Sequence, residues 1–364
     1  MLVQNTLRSS KDCNQIKPGI MKILFLYNEP MPYVDSVVKA LSEIFNDEVI
    51  FIYNNKGKFD NYQPSSNVNA VYLKRSEFIY IRLKELIQAF NPKIIFVSGR
   101  MDMVYLRAVL GEKENRSIVM GSDEQFNINF KQLTKIIFSY FLYKRYFTHV
   151  WVPGNRQLIL SKALGFSSER IITNLYSGDL STFNKDSQKS ITEKKQFVYI
   201  GRLEHVKGFD LLLEAWRLIP NSEKLGWDLL IFGDGSLKRS ISASDDIVYK
   251  GFKKQSEIIS SISSDAVFVL PSRYEPWGVV VHEMAAIGLP LILSKEVGAS
   301  DCFLIDNYNG KLLIKVDKYS IANAIKFFIH LNFSDRKKMG ENSIELSKRI
   351  NPIISAASLR SIIK

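Results

Sequence analysis

Cysteine is nearly absent. Cys13 and Cys302 are the two in 364 residues, too few for a disulfide framework, so a reducing cytoplasm is the expected compartment. The four histidines, His149, His205, His282 and His330, are scattered, which argues against a histidine-rich metal site. No apolar run approaches the roughly 18 residues that span a bilayer. Residues 1–19 are polar and lack the hydrophobic stretch of a secretory signal, so none is expected. There is no long Lys/Arg tract, zinc-finger spacing or basic-aromatic sheet signature, which places nucleic acid last among partners. No G-x-G-x-x-G follows either strand that opens an apolar block, which disfavours a nicotinamide-dependent dehydrogenase. No repeat of solenoid period is visible.

What is present is a folded, basic chain. Its 46% hydrophobic and 24% charged residues are those of a globular protein, and its length suits two domains of about 150 to 180 residues. The formal net charge of +12 implies an anionic partner, a phosphorylated substrate or an anionic membrane surface.

Two blocks of alternating strand and helix patterns predict two parallel α/β sheets. The first opens with the strand MKILFLY at Met21. An amphipathic helix over Val34 to Phe45, the strand EVIFIY, a helix around Ile79 to Phe90 and the strands KIIFVS and SIVM follow. The second opens with QFVYIG, ending at Gly201, and continues through FDLLLEAWRLI, WDLLIF, IVY, QSEIISSI, AVFVLP, VVVHEMAAI and LILS. The expected organisation is a disordered extension over 1–20, a first domain over 21–180 and a polar linker over 181–195. A second domain over 196–345 and a closing helix over 346–364 complete it. Two such domains place a cleft between the carboxyl ends of their sheets, where ligands of these sheets bind.

The loops at that edge carry the chemistry. In YIGRLEHVKGFDLLLEAW, Arg202 and Lys207 flank a turn entering a helix. Cations there oppose the helix dipole by about 0.3 to 1 kcal/mol each, and a bound anion reverses the sign; two solvated charges are the plainer alternative. FGDGSLK puts glycines straight after a strand, for a close ligand approach or simply for a turn. The sharpest stretch is PSRYEPWGVVVHEMAAIGLPLI. Glu275 lies in the loop before a helix and Glu283 about a turn inside it, with the free amides from Gly278 onward between them. Carboxylates so placed suit sugar and ribose hydroxyls while the amides hold phosphate. The neighbours of Glu283 are apolar, so an unpaired carboxylate there is costly. His282-Glu283 suggests a zinc-protease motif, but Ala286 stands where the second histidine belongs.

GRLEHVKG, FGDGSLK, SRYEPWGVVVHEMAAIGLP and the later DNYNGKLL together resemble the retaining glycosyltransferases of family 4 (glycosyl transferases group 1), over roughly Lys194 to Lys315. The spacing of Glu275 and Glu283 is the specific part. The resemblance implies the GT-B fold, two Rossmann-like doubly wound parallel-sheet domains facing a cleft. It implies a nucleotide-diphosphate sugar as co-substrate, no metal or other cofactor, and transfer to an acceptor hydroxyl with retention, the leaving phosphate taking the acceptor proton. Arg202 and Lys207 would neutralise the diphosphate, and Glu275 would position the transferred sugar, these three forming the catalytic set. Glu283 would bind the ribose. Gly201, Trp277, Gly278 and Val279 would contact the donor, and Lys250 to Phe252 would face the base.

The first block matches less well. YNEPMPYVDSVVKAL has no glycine pair after its opening strand, a subgroup feature within the resemblance. In MGSDEQF, Asp123 and Glu124 are candidates to orient the acceptor hydroxyl, with a capping Asp and a surface Glu as the alternative; Asn28, Glu29 and Arg100 also end strands at the cleft. The expected acceptor is a glycan or glycolipid of surface polysaccharide assembly. A sugar-nucleotide epimerase of the same architecture and a non-catalytic sugar-nucleotide-binding protein are the competing readings. The basic-aromatic segment NFKQLTKIIFSYFLYKRYF, residues 129–147, suits either a core helix or peripheral attachment to the inner face of a membrane.

Overall fold

A computed structural model describes residues 19–53, 69–77, 79–99, 102–126, 134, 136, 143, 145–178, 190–241 and 244–363. The expectations for residues 1–18, for Arg100, for the linker over 181–189 and for most of 129–147 lie outside the described residues.

Seven strands form the first sheet: β1 (Lys22–Tyr27), β2 (Glu48–Tyr53), β3 (Ala70–Lys74), β4 (Ile94–Val97), β5 (Ser117–Gly121), β6 (His149–Trp151) and β7 (Ile171–Ile172). Their order is β3-β2-β1-β4-β5-β6-β7, every neighbouring pair parallel. The second sheet contains β8 (Ser190–Ile200), β9 (Trp227–Phe232), β10 (Ile247–Gly251), β11 (Ser263–Leu270), β12 (Leu291–Ser294) and β13 (Gly310–Leu313), ordered β10-β9-β8-β11-β12-β13 and also parallel. Strand order reverses between β1 and β4 and between β8 and β11, and open α/β sheets bind ligands at such reversals.

Strand composition follows burial. Leu24, Leu26, Ile95 and Val97 point into the core on one face of the first sheet, and Ile23, Phe25, Ile94 and Phe96 into the core on the other. Both parities must be apolar because helices cover both faces. Among the helices are α1 (Pro32–Lys39), α2 (Tyr80–Phe90), α3 (Met103–Val109), α4 (Asn155–Ala163), α5 (Phe209–Leu218), α6 (Gln255–Ser261), α7 (Val279–Ala286), α8 (Lys318–His330), α9 (Phe333–Ser347) and α10 (Pro352–Arg360). None among the described residues is long and apolar enough to cross a membrane.

The chain passes between domains twice, before β8 and after α9. Helix α10 packs its Ala356 and Leu359 into the core of the first domain. There Arg360 forms a buried ion pair with Asp47, whose carboxylate also accepts the Met21 amide at 2.9 Å. Three elements differ from expectation. The helix read over Val34 to Phe45 is α-helical only to Lys39 and continues as a π-helical stretch over Ala40–Ile44. Residues 190–195 of the segment read as linker are the first half of β8, which pairs with β11 at Ser190 and Lys195 and with β9 from Lys195 onward. The short strands β3, β6 and β7 were not legible as strands at all.

Candidate active site

Glycine shapes the floor of the second-domain edge. Gly233, straight after β9, has φ of 134°, and a Cβ on it would meet the Gly201 carbonyl oxygen at 1.9 Å. The glycines of FGDG thus let two strand-end loops touch backbone to backbone, a packing reason that neither sequence reading named. Gly201 donates its amide to the Phe232 carbonyl at 3.1 Å. Arg202 follows it, exposed to solvent, with its carbonyl held by the Tyr199 hydroxyl at 2.7 Å.

Lys207 ends a single 3-10 turn, His205–Lys207, and its Nζ forms an ion pair with Glu275 Oε2. The two side chains are only 11% and 15% exposed. Residues absent from the sequence reading hold that turn. Arg273 donates to both Asp210 carboxylate oxygens, at 2.7 and 2.8 Å, and to the His205 carbonyl. Glu204 accepts from the Ser236 amide at 2.9 Å and hydroxyl at 2.6 Å. These hydrogen bonds from Ser236 hold the Glu204 carboxyl below its ordinary range.

Glu275 to Gly278 form the loop between β11 and α7. Its backbone is stitched to the loop after β12 by Glu275 N–H to the Glu296 carbonyl (3.2 Å) and Gly298 N–H to the Glu275 carbonyl (3.0 Å). Gly278, with φ of 94°, precedes α7 and turns Val279 and Val280 into the first helical turn. Glu283 is half-buried and accepts from Gln255 Nε2 of α6 at 2.9 Å; that amide supplies the partner its apolar surroundings require. Phe252 lies just past β10 with 70% of its surface exposed. Trp277 departs from expectation. It is 3% exposed, with its ring against Phe303 and against Gly154 of the first domain. A side chain so enclosed anchors the domain interface and does not reach a ligand in the open cleft.

His282 is fully buried. Its Nδ1 accepts the Gly178 amide at 2.9 Å and its Nε2 lies 2.8 Å from the Ser347 carbonyl, with the ring stacked on Phe303 at 4.4 Å. Accepting at Nδ1 and donating at Nε2 fixes a neutral imidazole, and burial pushes its pKa down to about 4. Gly178 and Ser347 precede the two passages of the chain between domains, so one ring ties both to α7.

Asp123, from the first domain, keeps part of its surface exposed to solvent while protein packs around it. That loss of solvation raises its carboxyl, and the Glu275 carboxylate adds to the rise. Tyr176 hydrogen-bonds Asp123, and Tyr27 and Tyr33 continue the network. Burial pushes Tyr33 up to about 12, with the charges of Asp123, Glu29 and Glu283 contributing. The carboxylates of Asp123 and Glu275, one from each domain, are therefore close enough to feel each other's charge. Asn28 is exposed beside Glu29, and Glu124 is half-buried beside Asp123. The tyrosines were missed because each occupies a position that reads equally well as core. Among the described residues no group of three His, Cys, Asp or Glu lies close enough to hold a metal ion.

The chain is 31% identical over 160 residues to an uncharacterized glycosyltransferase of Methanocaldococcus jannaschii, an alignment covering 42% of this chain and 43% of that protein. It is 22% identical over 320 residues to the capsular polysaccharide biosynthesis glycosyltransferase CapH of Staphylococcus aureus, covering 82% and 87%. The chain spans less than half the length of the first of these relatives. The solved structure of Anabaena HepE in complex with UDP and glucose superposes with a TM-score of 0.72 at 16% identity, covering 94% of this chain and 98% of that one. The fold is therefore GT-B. Residues 181–346 match the profile of the glycosyl transferases group 1, so the second domain is similar to that family.

Proposed function

We propose that the protein transfers a sugar from a nucleoside diphosphate donor to a hydroxyl of a glycan or glycolipid, with retention of anomeric configuration. The observation that carries this reading is the largely buried Lys207–Glu275 pair, which joins the turn after β8 that also bears Arg202 to the loop before α7, the helix that bears Glu283. In this reading Arg202 and Lys207 neutralise the diphosphate, the amides from Gly278 onward bind it, and Glu283 accepts from the ribose hydroxyls. Glu275 orients the sugar. The anomeric carbon–phosphate oxygen bond breaks while the acceptor oxygen bonds to the same face, and the acceptor proton passes to the departing phosphate. Cationic side chains aimed at the developing charge supply the main stabilisation, with no metal step. Asp123 and Glu124 orient the acceptor from the opposite wall.

The relatives support the acceptor class: one is a capsular polysaccharide biosynthesis glycosyltransferase, another an amylovoran biosynthesis glycosyltransferase. The net charge of +12 suits a protein working in the cytoplasm against the anionic inner face of a membrane. In the segment over 129–147, however, Tyr143 and Phe147 are core residues. The test is to incubate the protein with a panel of UDP-, GDP-, ADP- and dTDP-hexoses and follow the sugar by NMR. Free sugar or glycoside released first as the donor's own anomer supports the proposal. An epimerised sugar nucleotide, or no turnover of any donor with or without a crude glycolipid acceptor, refutes it.

A further inference from the structure

The first domain grips the donor loop of the second directly. Gln125 Nε2 donates to the carbonyls of both Glu275 and Pro276, each at 2.9 Å. Gln157 Nε2 donates to the Pro276 carbonyl at 2.6 Å and to the Asp123 carbonyl at 3.3 Å. The glutamines are 5% and 1% exposed, so water does not compete for these carbonyls. Around them, Arg156 at the start of α4 donates to both Asp301 oxygens, at 2.7 and 2.5 Å, and to the Lys295 carbonyl. Trp277 lies so close to Gly154 that a Cβ there would fall 2.6 Å from its ring. Gly154 itself has extended backbone, φ −161°, so the missing side chain makes room for the indole and serves no backbone need.

We infer that Gln125 and Gln157 are positioning residues for Glu275, through which the first domain sets the geometry of the second domain's donor loop. This rests on the role proposed above for Glu275. The physical reason is that Pro276 has no amide hydrogen, and the loop's carbonyls face a domain seam; the side-chain amides fix the loop from outside its own domain. Gln157 also holds the backbone of Asp123, so one side chain bridges the donor loop and the acceptor-side carboxylate. A glutamine is suited to this because its amide donates two hydrogens in one plane. Closing the two domains on each other and placing Glu275 are then the same event.

Two substitutions test this in the full chain. Gln125→Met keeps the volume and removes both donors. Gly154→Ala adds one methyl against Trp277 and touches no proposed ligand contact. Hydrogen exchange over residues 272–300 needs no ligand, and both variants should exchange there at least about tenfold faster, with the β8–β9 core unchanged. Turnover is read with whichever sugar nucleotide of the panel the parent consumes. A loop displaced by about 1 Å costs on the order of 100-fold in kcat, while affinity for the matching nucleoside diphosphate, held by Arg202, Lys207 and Glu283, should stay within about threefold of the parent. Unchanged exchange over 272–300, or kcat unchanged with exchange raised, overturns the inference. A parent that turns over no donor refutes the catalytic reading, and the exchange result still decides whether the glutamines hold the loop.

Discussion

Replacing His282 should reveal how the two interdomain passages are held. His282→Ala removes an acceptor from the Gly178 amide and a donor to the Ser347 carbonyl, both buried. Each orphaned group costs about 1 to 3 kcal/mol, and the lost stack on Phe303 adds about 0.5 to 1.5 kcal/mol. A total of about 2.5 to 7.5 kcal/mol is expected. His282→Asn, which returns an acceptor near the Nδ1 position, should recover about 1 to 2 kcal/mol of it. The effect must also depend on pH. Burial lowers the imidazole from 6.5 to about 4, so the unfolded state binds the extra proton first. The contribution is whole above pH 6.5 and is lost as pH falls through about 4, amounting to about 3 kcal/mol at about 1.4 kcal/mol per unit. Urea melts of parent and His282→Asn, followed by tryptophan fluorescence, should therefore differ most at pH 7.5 and converge near pH 4.5. A stability difference that stays constant between these pH values would refute the reasoning.

Lys207→Met should lower turnover by about 100-fold or more, the scale of a lost transition-state donor at roughly 3 kcal/mol; Lys207→Arg with full activity would separate charge from placement. Activity of the parent should survive EDTA, and reversible loss under chelation would overturn the roles given to Arg202 and Lys207. Glu283→Gln should weaken nucleoside diphosphate binding more than it slows turnover, whereas Glu275→Gln should do the reverse, both read from steady-state kinetics. Arg360→Met leaves the buried Asp47 without its counter-charge beneath α10, for a loss of about 3 to 5 kcal/mol. The double variant with Asp47→Asn should be less damaged than Arg360→Met alone in thermal melts.

Much of the fold was legible because each sheet is buried on both faces, so its central strands stand out as continuous apolar runs such as KILFLY and AVFVL. The motif proposed to hold the donor is local: Glu275, Gly278 and Glu283 share one loop and one helix. What was not legible is what arrives from far along the chain. Gln125 and Gln157 reach the donor loop across 150 and 119 residues, and a glutamine in a polar stretch carries no sign of such a partner. Trp277 sits inside the motif, so local reading assigned it to the ligand; only packing against Gly154 reveals its work at the seam. The strands β6 and β7 have three and two residues, below the length at which alternation is visible. The polar start of β8 reads as linker because its composition is solvent-like, while the strand pairs on both sides only from Lys195 onward.

The central claim is that Arg202, Lys207, Glu275 and Glu283 form a donor site for a nucleoside diphosphate sugar. It is tested most directly by titration calorimetry of the full chain, in EDTA, with UDP, GDP, ADP and dTDP in turn, repeated on the Arg202→Ala/Lys207→Ala double variant. The account predicts that at least one nucleoside diphosphate binds the parent without metal and that the double variant loses at least about 100-fold in affinity, two charge-assisted contacts at about 1.5 to 3 kcal/mol each. Binding of equal strength to parent and variant, or binding of none of the four, would contradict it.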